Sequence, residues 1–136
     1  MQHYTPIQIR FNDIDALNHV NNTVYMQFFD IGKLAFFQEC LGDEINWSEV
    51  TPVMVHLEVD FSAPVFIDSK IRVNSHVTGF GNKSFRMDQE IENIDTGEIH
   101  SRSKSIMVAF NPKTNEGVVV PNSWREKLAR YSELTL

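Results

Sequence analysis

The sequence predicts an α+β fold in which an antiparallel sheet packs around one long apolar helix. Two patterns indicate this arrangement. Residues 20–41 form a continuous stretch rich in apolar side chains that ends at Gly42. Segments of alternating apolar and polar residues follow it, as in consecutive antiparallel strands. The chain has 136 residues, which suits a single compact domain spanning residues 1–136.

The N-terminal segment predicts a strand and then a loop. Ile7, Ile9 and Phe11 alternate with polar residues, which predicts a half-buried strand over residues 4–11. Residues 12–19 are rich in Asn and Asp and predict a loop. This loop joins the first strand to the start of the long helix.

Residues 20–41 predict one helix, with Asn21 or Asn22 as N-cap and Gly42 at the C′ position. Apolar side chains occupy most of its circumference, so we expect it to be buried on several sides. Gly32 lies inside the helix at a cost of about 1 kcal/mol relative to alanine, which a close contact with the sheet would explain. One sheet of five or six strands is not expected to cover such a helix alone. A homodimer or homotetramer is therefore expected.

The rest of the chain predicts antiparallel strands and a short C-terminal helix. After a connecting segment at 43–51, strands are expected at residues 53–61, 71–77, 83–94 and 98–110. Turn signals separate them at residues 79–81, 95–97 and 111–115. A short edge strand is expected at 118–120. The C-terminal helix is expected at 121–131, with Asn122 or Ser123 as N-cap.

Composition and charge exclude several classes of function. The formal net charge of -6 argues against nucleic-acid binding, which needs a basic face. Cys40 is the single cysteine, so no intrachain disulfide can form and a reducing compartment is expected. The polar N-terminal segment has no signal-peptide pattern, and no apolar run approaches the roughly 20 residues that span a bilayer. We therefore expect a cytoplasmic protein that does not enter membranes.

The stretch with the clearest chemical content is RFNDIDALNHVNNTVY at residues 10–25. It places Asp13 and Asp15 in a loop that leads into a helix N-terminus, where unpaired N–H groups can stabilise an oxyanion. A carboxylate beside such donors can attack an acyl carbon or activate water. By spacing alone, a cap or Asx-turn role is the more usual one for an aspartate in this position.

Asp15, the run Asn18–Asn22 and Tyr25 resemble the motif of the 4-hydroxybenzoyl-CoA thioesterase family of hotdog-fold proteins. The family pattern has a glycine where this chain has Asn18. Asparagine tolerates a left-handed backbone, so we expect the loop to form. The resemblance covers nearly the whole chain and includes three further segments, in order: Asp60–Pro64, Gly79–Ser84 and the helix that begins at Pro121.

The resemblance implies a hotdog fold and hydrolysis of acyl-CoA thioesters to the free acid and CoA. Asp15 matches the catalytic carboxylate, acting as nucleophile or as general base. The backbone N–H of Asn22 matches the oxyanion donor. Tyr25 and Phe29 would line the acyl pocket or pack below it, and the active site would lie at a subunit interface. His19 is expected either to orient the substrate or to bond to the backbone of the loop.

Other polar residues have less specific roles. Asp13 is expected to cap the loop or to pair with Arg10, and Cys40 to serve packing. Glu58 either approaches the neighbouring subunit's site or lies on a solvated strand face, and the second is the safer interpretation. The cations that would bind the phosphates of CoA are Lys83, Arg86, Arg102 and Lys104.

Three rival functions remain open. An acyl carrier protein thioesterase is disfavoured by the net acidity, because that carrier is itself acidic. A non-catalytic acyl-CoA-binding hotdog protein would not need Asp15. A hotdog hydratase would need a His-bearing motif that the sequence lacks. The five histidines show no metal-ligand spacing, so we expect no metal, and no cofactor beyond the CoA of the substrate.

Overall fold

A computed structural model describes residues 1–42 and 45–132, so residues 43 and 44 of the expected connecting segment lie outside the described residues. The described elements are β1 (Tyr4–Ile7), a 3₁₀ turn (Phe11–Asp13), α1 (Asn22–Cys40), β2 (Thr51–Phe61), β3 (Ile71–Phe80), β4 (Ser84–Asn93), β5 (Ile99–Asn111), β6 (Glu116–Gly117) and α2 (Asn122–Ala129). The strands form one antiparallel sheet in the order β1-β3-β4-β5-β2, and β6 pairs with β5. This architecture confirms the predicted α+β hotdog fold.

Helix α1 lies across β1, β3 and β4 and divides the core into two clusters. Its N-terminal half packs against β3 and β4 through Val24, Tyr25, Phe28 and Phe29. Its C-terminal half packs against α2 and the far ends of the strands through Phe36, Phe37, Cys40 and their neighbours. A Cβ at Gly32 would lie 2.6 Å from Cγ1 of Val73. The expected close contact between helix and sheet is therefore present.

The ends of α1 follow from local chemistry. The helix begins at Asn22, two residues later than predicted, because Asn21 is the N-cap and its Oδ1 accepts the N–H of Thr23 at 2.9 Å. Gly42 follows the C-cap with φ at +50°, the left-handed conformation predicted for C′. The predicted cap residues at both ends are confirmed.

The first strand is shorter than its apolar pattern predicts. It ends at Ile7, and Phe11 is 86% exposed instead of half-buried. The cause is Asp13, whose carboxylate accepts the backbone N–H of Arg10 at 2.8 Å and its guanidinium at 3.1 Å. These bonds turn the chain into the 3₁₀ turn, so the alternation no longer follows the sheet.

The outward side of α1 is open within one chain. Ile31 is 50% exposed and Leu34 is 48% exposed. The expectation that α1 is buried on several sides is therefore wrong for the single chain, because the sheet covers the helix from one side only. The expected second subunit stays a prediction.

Strand β2 contains a bulge that its alternating pattern did not reveal. The register shifts between Met54 and His56, so Val55 is the additional residue. Met54 pairs with Met107 on the helix side of the sheet, whereas Val53 pairs with Val108 on the outer side. Val53 therefore does not share a face with Leu57, Val59 and Phe61, as unbroken alternation would require.

Three further boundaries differ from the predictions. Strand β3 continues to Phe80, so Gly79 lies in the strand and not in the following turn. The edge strand is Glu116–Gly117 and not residues 118–120, because Val120 is fully buried in the core beside α2. Pro121 is the N-cap of α2 in place of Asn122 or Ser123, since its ring already fixes the φ that helix entry needs.

Candidate active site

The loop between the 3₁₀ turn and α1 is closed by its own backbone. An isolated bridge joins Ile14 to Val20, and the Asp15 N–H donates to the carbonyl of His19 at 3.1 Å. The Asn18 N–H donates to the Asp15 carbonyl at 3.0 Å. Asn18 has φ at 66°, so it adopts the left-handed backbone expected of it. The loop therefore holds Asp15 in a fixed position.

The carboxylate of Asp15 is only partly engaged. Its Oδ1 accepts the N–H of Leu17 at 2.9 Å, which is the Asx-turn that spacing alone favours. Among the described residues, its Oδ2 accepts no hydrogen bond. Asp15 thus has a structural role through one oxygen and keeps the other available for chemistry.

Asp13 differs from Asp15 in both burial and bonding. It is 2% exposed, and Arg10 engages both of its oxygens. Its backbone carbonyl also accepts the N–H of Asn21, the N-cap of α1, at 2.9 Å. Asp13 therefore ties the loop to the helix, as the predicted structural role requires.

The first residue of α1 presents an unpaired backbone donor. The N–H of Asn22 has no acceptor within the helix because of its position in the first turn. Within residues 1–42 and 45–132 it has no other acceptor either. Asn21 instead caps Thr23, and its carbonyl accepts the N–H of Val24 at 2.9 Å. The N–H of Asn22 is thus available to a ligand, at the positive end of the helix dipole.

Two concave surfaces flank the Asp15 loop. The smaller, of about 190 Å³, is lined by His19, Asn22, Tyr25 and Phe61–Pro64. The larger, of about 700 Å³, is lined by Phe11, Ile14, Asp15, Asn18 and Phe66–Asp68. We call these the small cavity and the apolar groove. Together they can accommodate one ligand that has a part on each side of the loop.

Tyr25 forms one wall of the small cavity. Its ring packs against that of Phe61 at 5.1 Å. Burial raises the pKa of Tyr25, the negative charge of Asp15 raises it further, and a hydrogen bond with the backbone of Val65 opposes the rise. The hydroxyl is therefore protonated at neutral pH.

Phe29, the other expected pocket residue, packs below in the core. Its carbonyl accepts a hydrogen bond from Nε2 of Gln89 at 3.0 Å.

His19 takes part in both the loop and the small cavity. Its carbonyl accepts the Asp15 N–H, and its ring lines the small cavity, edge-on to Phe66 at 6.5 Å. The opposite wall of this cavity is fixed by His100, whose carbonyl accepts the N–H groups of Ser62 and Ala63. Both walls of the small cavity therefore have a hydrogen-bonded backbone.

The expected phosphate-binding cations do not meet at Asp15 within one chain. Arg86 and Lys104 line a concavity of about 420 Å³ on the outer face of the sheet, together with Glu58. Arg102 lies opposite Asp60 in the register, and Lys83 lies in the turn between β3 and β4. The sheet separates this outer face from the loop. Glu58 is exposed, with a carboxylate oxygen 3.4 Å from Nε2 of His56.

Cys40 lies in the core, away from the loop. Burial raises the pKa of its thiol to about 11, which suits packing and not nucleophilic attack.

Among the described residues, no three His, Cys, Asp or Glu side chains lie close enough together to hold a metal ion. None of the described helices is long and apolar enough to cross a membrane.

The apolar groove was not predicted from the sequence. The sequence pattern places Phe11 on a strand face and places Phe66 and Ile67 in no element. The available signal was the apolar run Val65–Ile67, which follows Pro64 without belonging to a strand pattern. An apolar run between strands is a candidate for a binding surface.

A single antiparallel sheet packed on a long helix, with an acidic loop at the helix N-terminus, defines a hotdog-fold domain of the thioesterase type. A family model described as the thioesterase-like superfamily matches residues 9–128. The chain belongs to this superfamily and is a thioester hydrolase. The resemblance inferred from the Asp15 motif is confirmed.

Similar proteins agree with this assignment. The long-chain acyl-CoA thioesterase FadM of Escherichia coli (strain K12) is 22% identical over 127 residues, covering 91% of this chain and 95% of FadM. The PA5185 protein of Pseudomonas aeruginosa strain PAO1 is 28% identical with a TM-score of 0.87, covering 96% of this chain and 91% of that one. A thioesterase of Thermus thermophilus, solved with coenzyme A and Zn, is 23% identical with a TM-score of 0.81, covering 94% of this chain and 92% of that one.

Proposed function

We propose that this enzyme hydrolyses acyl-CoA thioesters to a free acid and CoA, with Asp15 as the catalytic carboxylate. The observation that carries the proposal is that Oδ2 of Asp15 and the N–H of Asn22 both lack a hydrogen-bond partner among the described residues, on the loop and helix start that two concave surfaces flank. The similarity to FadM and to a thioesterase solved with CoA supports acyl-CoA as the substrate. The reaction needs no cofactor beyond the CoA of the substrate.

In the proposed reaction, the thioester carbonyl lies between the two groups. The N–H of Asn22 donates to the carbonyl oxygen, where negative charge develops during attack. As general base, Asp15 takes a proton from a water molecule whose oxygen bonds to the acyl carbon. The tetrahedral intermediate then loses its C–S bond, and the CoA thiolate takes the proton from Asp15. The hydroxyl of Tyr25, which is protonated at neutral pH, contacts the thioester in the small cavity.

As nucleophile, Asp15 would instead bond directly to the acyl carbon and expel CoA, leaving an anhydride that water cleaves. Turnover in ¹⁸O-labelled water distinguishes the two routes. Label recovered in Asp15 by mass spectrometry supports the nucleophilic route. Label confined to the released acid supports the general base when hydroxylamine, which captures an acyl anhydride, also fails to divert the acyl group.

We also propose that the enzyme works as a homodimer or homotetramer. Strand β2 is an edge strand of the sheet, and it carries exposed apolar side chains at Val53, Met54 and Val55. An apolar edge strand without a partner tends to pair with another chain. The outward residues Ile31 and Leu34 of α1 would gain cover in the same assembly. Light scattering coupled to size exclusion measures the mass directly, and a monomer at micromolar concentration would overturn this part.

The function is tested by thiol release from a panel of acyl-CoAs with short aliphatic, long aliphatic and aromatic acyl groups. Wild type is compared with Asp15→Asn, and Glu116→Gln serves as a control that removes an exposed carboxylate at the opposite end of the sheet, where Glu116 pairs with Asn111. We expect wild type and the control to release thiol and Asp15→Asn to lose most of the rate. Binding of acyl-CoA by wild type without thiol release would instead indicate a non-catalytic binding protein. A strong preference for acyl carrier protein thioesters would replace the proposed carrier.

A further inference from the structure

We propose that the apolar groove holds the acyl chain of the substrate, so that the enzyme selects unsubstituted aliphatic chains of medium to long length. This inference rests on the proposed function and names the substrate class of the same site. It assigns Phe11, Phe66 and Ile67 as residues that determine acyl specificity.

The first argument is position. Asp15 itself lines the apolar groove, so a chain attached to a carbon under attack by Asp15 can enter the groove directly. The volume of about 700 Å³ lies within the range of ligand sites in proteins. The small cavity, of about 190 Å³, lies on the other side of the loop beside the N–H of Asn22. The larger space therefore suits the acyl chain and the smaller one the thioester and the thiol arm.

The second argument is the exposure of the groove's walls. Phe11 is 86% exposed, Ile67 is 51% exposed and Phe66 is 45% exposed. Side chains of this size contribute little to the core when they are so exposed, and clustered apolar exposure marks a binding surface. An acyl chain lying on them would remove the same apolar surface from water.

The third argument is that the backbone holds these side chains outward. On one side, Asp13 locks the turn that carries Phe11 through its two bonds to Arg10. On the other side, the N–H of Phe66 donates to Oγ of Ser69 at 2.9 Å, and the N–H of Ser69 donates back to the Phe66 carbonyl at 3.0 Å. A groove with fixed walls loses little entropy when it binds a flexible chain.

The fourth argument is charge. The polar residues that line the groove are Asp15, Asn18 and Asp68, and no lysine or arginine of the described residues lines it. The groove therefore cannot pair with the phosphates of CoA. Its two carboxylates would repel an acyl chain that ends in a carboxylate of its own. The groove suits a plain hydrocarbon chain.

The test compares chain-length selectivity in wild type, Phe11→Ser, Ile67→Ser and the control Val119→Ser. Val119 is also an exposed apolar residue, but it lies near the β3–β4 turn at the opposite end of the sheet. The measured quantity is the ratio of kcat/KM for dodecanoyl-CoA to kcat/KM for butanoyl-CoA. We expect each groove variant to lower this ratio about tenfold through lost apolar contact, and the control to leave it unchanged. Thermal unfolding checks that every variant is folded.

A ratio that is unchanged in both folded groove variants would overturn the proposal, while loss of activity in Asp15→Asn would still support the function. If wild type releases no thiol, the function fails, and the groove is then tested by calorimetric binding of dodecanoyl-CoA to wild type and Phe11→Ser. Equal affinities would overturn the proposal that the groove binds the acyl chain.

A loss of oligomer mass in Phe11→Ser would show that a second copy of the chain covers the groove, and this result would also overturn the proposal. Dodecanedioyl-CoA is expected to react more slowly than dodecanoyl-CoA, and an equal or faster rate contradicts the charge argument.

Discussion

The loop side of the molecule and the outer face of the sheet both carry concave surfaces, but their polar groups are engaged differently. On the outer face, Lys104 lies opposite Glu58 on one neighbouring strand and opposite Asp88 on the other. On the loop side, an oxygen of Asp15 and the N–H of Asn22 have no partner among the described residues. Carboxylates on neighbouring strands attract the ammonium group of Lys104 and offset its charge. The unengaged groups therefore mark where chemistry is expected.

The largest effect should separate the two aspartates of the loop. Asp15→Asn removes a carboxylate with an unengaged oxygen, so we expect kcat to fall about a thousandfold, within the usual contribution of a general base. Its free energy of unfolding should change by less than about 1 kcal/mol, because an amide oxygen can still accept the N–H of Leu17. Thiol release and denaturant unfolding measure the two quantities.

Asp13→Asn should have the opposite profile. Its buried carboxylate accepts two hydrogen bonds from Arg10, one of them from a guanidinium. Weakening charge-assisted bonds of this kind should lower the free energy of unfolding by about 2 kcal/mol. Activity of the remaining folded enzyme should fall less than in Asp15→Asn. A variant of Asp13 that is fully stable yet inactive would reverse the assignment of the two roles.

The position of the loop depends on how α1 is seated on the sheet, which Gly32→Ala tests. The added Cβ would lie 2.6 Å from Cγ1 of Val73, so the helix or the strand must shift. We expect a loss of about 2 kcal/mol from overpacking, although alanine favours a helix more than glycine does. The double variant Gly32→Ala/Val73→Ala should be less destabilised than the sum of the two single variants. Additive losses would show that this contact is not the reason for the glycine.

Much of the site's frame was predictable because its causes are local in the chain. Asn21 caps the helix through a bond to a residue two positions away, and Asn18 takes a backbone conformation intrinsic to asparagine. The apolar groove was not predictable, because it brings together Phe11 and the distant segment 66–68. The outward turn of Phe11 depends on Asp13, and the face reversal in β2 depends on a bulge at Val55. Pattern analysis assumes unbroken alternation and misses both.

A smaller effect should distinguish a buried lysine from an exposed one. Lys33 of α1 is 7% exposed, and its Nζ lies 3.3 Å from Sδ of Met54 and 3.9 Å from Oδ1 of Asp30. Burial lowers the pKa of Lys33, and Asp30 opposes the shift. The folded state therefore disfavours the charged lysine at any pH below its folded pKa.

Lys33→Met should consequently raise the free energy of unfolding at pH 7, by about 1 kcal/mol. The penalty on the charged form is fully present below the folded pKa and disappears as the pH rises towards the unfolded value of 10.5. The gain should therefore shrink between neutral and alkaline pH. Lys104→Met, which removes an exposed lysine flanked by carboxylates, should show no such gain. A gain for Lys33→Met that is constant with pH would mean that packing and not charge is responsible.

The smallest expected effect concerns which outer-face cation assists CoA binding. Arg102 lies opposite Asp60, next to Phe61 of the small cavity, whereas Arg86 lies nearer the opposite end of the sheet. We therefore expect Arg102→Glu to raise KM for acyl-CoA a few-fold and to leave kcat nearly unchanged, since one exposed phosphate contact is worth about 1 kcal/mol or less. Arg86→Glu should change KM less. Increasing salt should narrow the difference in KM between wild type and Arg102→Glu, because exposed charge pairs are screened.

Equal KM values for wild type and Arg102→Glu would remove Arg102 from the binding site. A larger effect at Arg86 would instead show that CoA binds on the outer concavity, where its phosphates must compete with Glu58 and Asp88 for the cations.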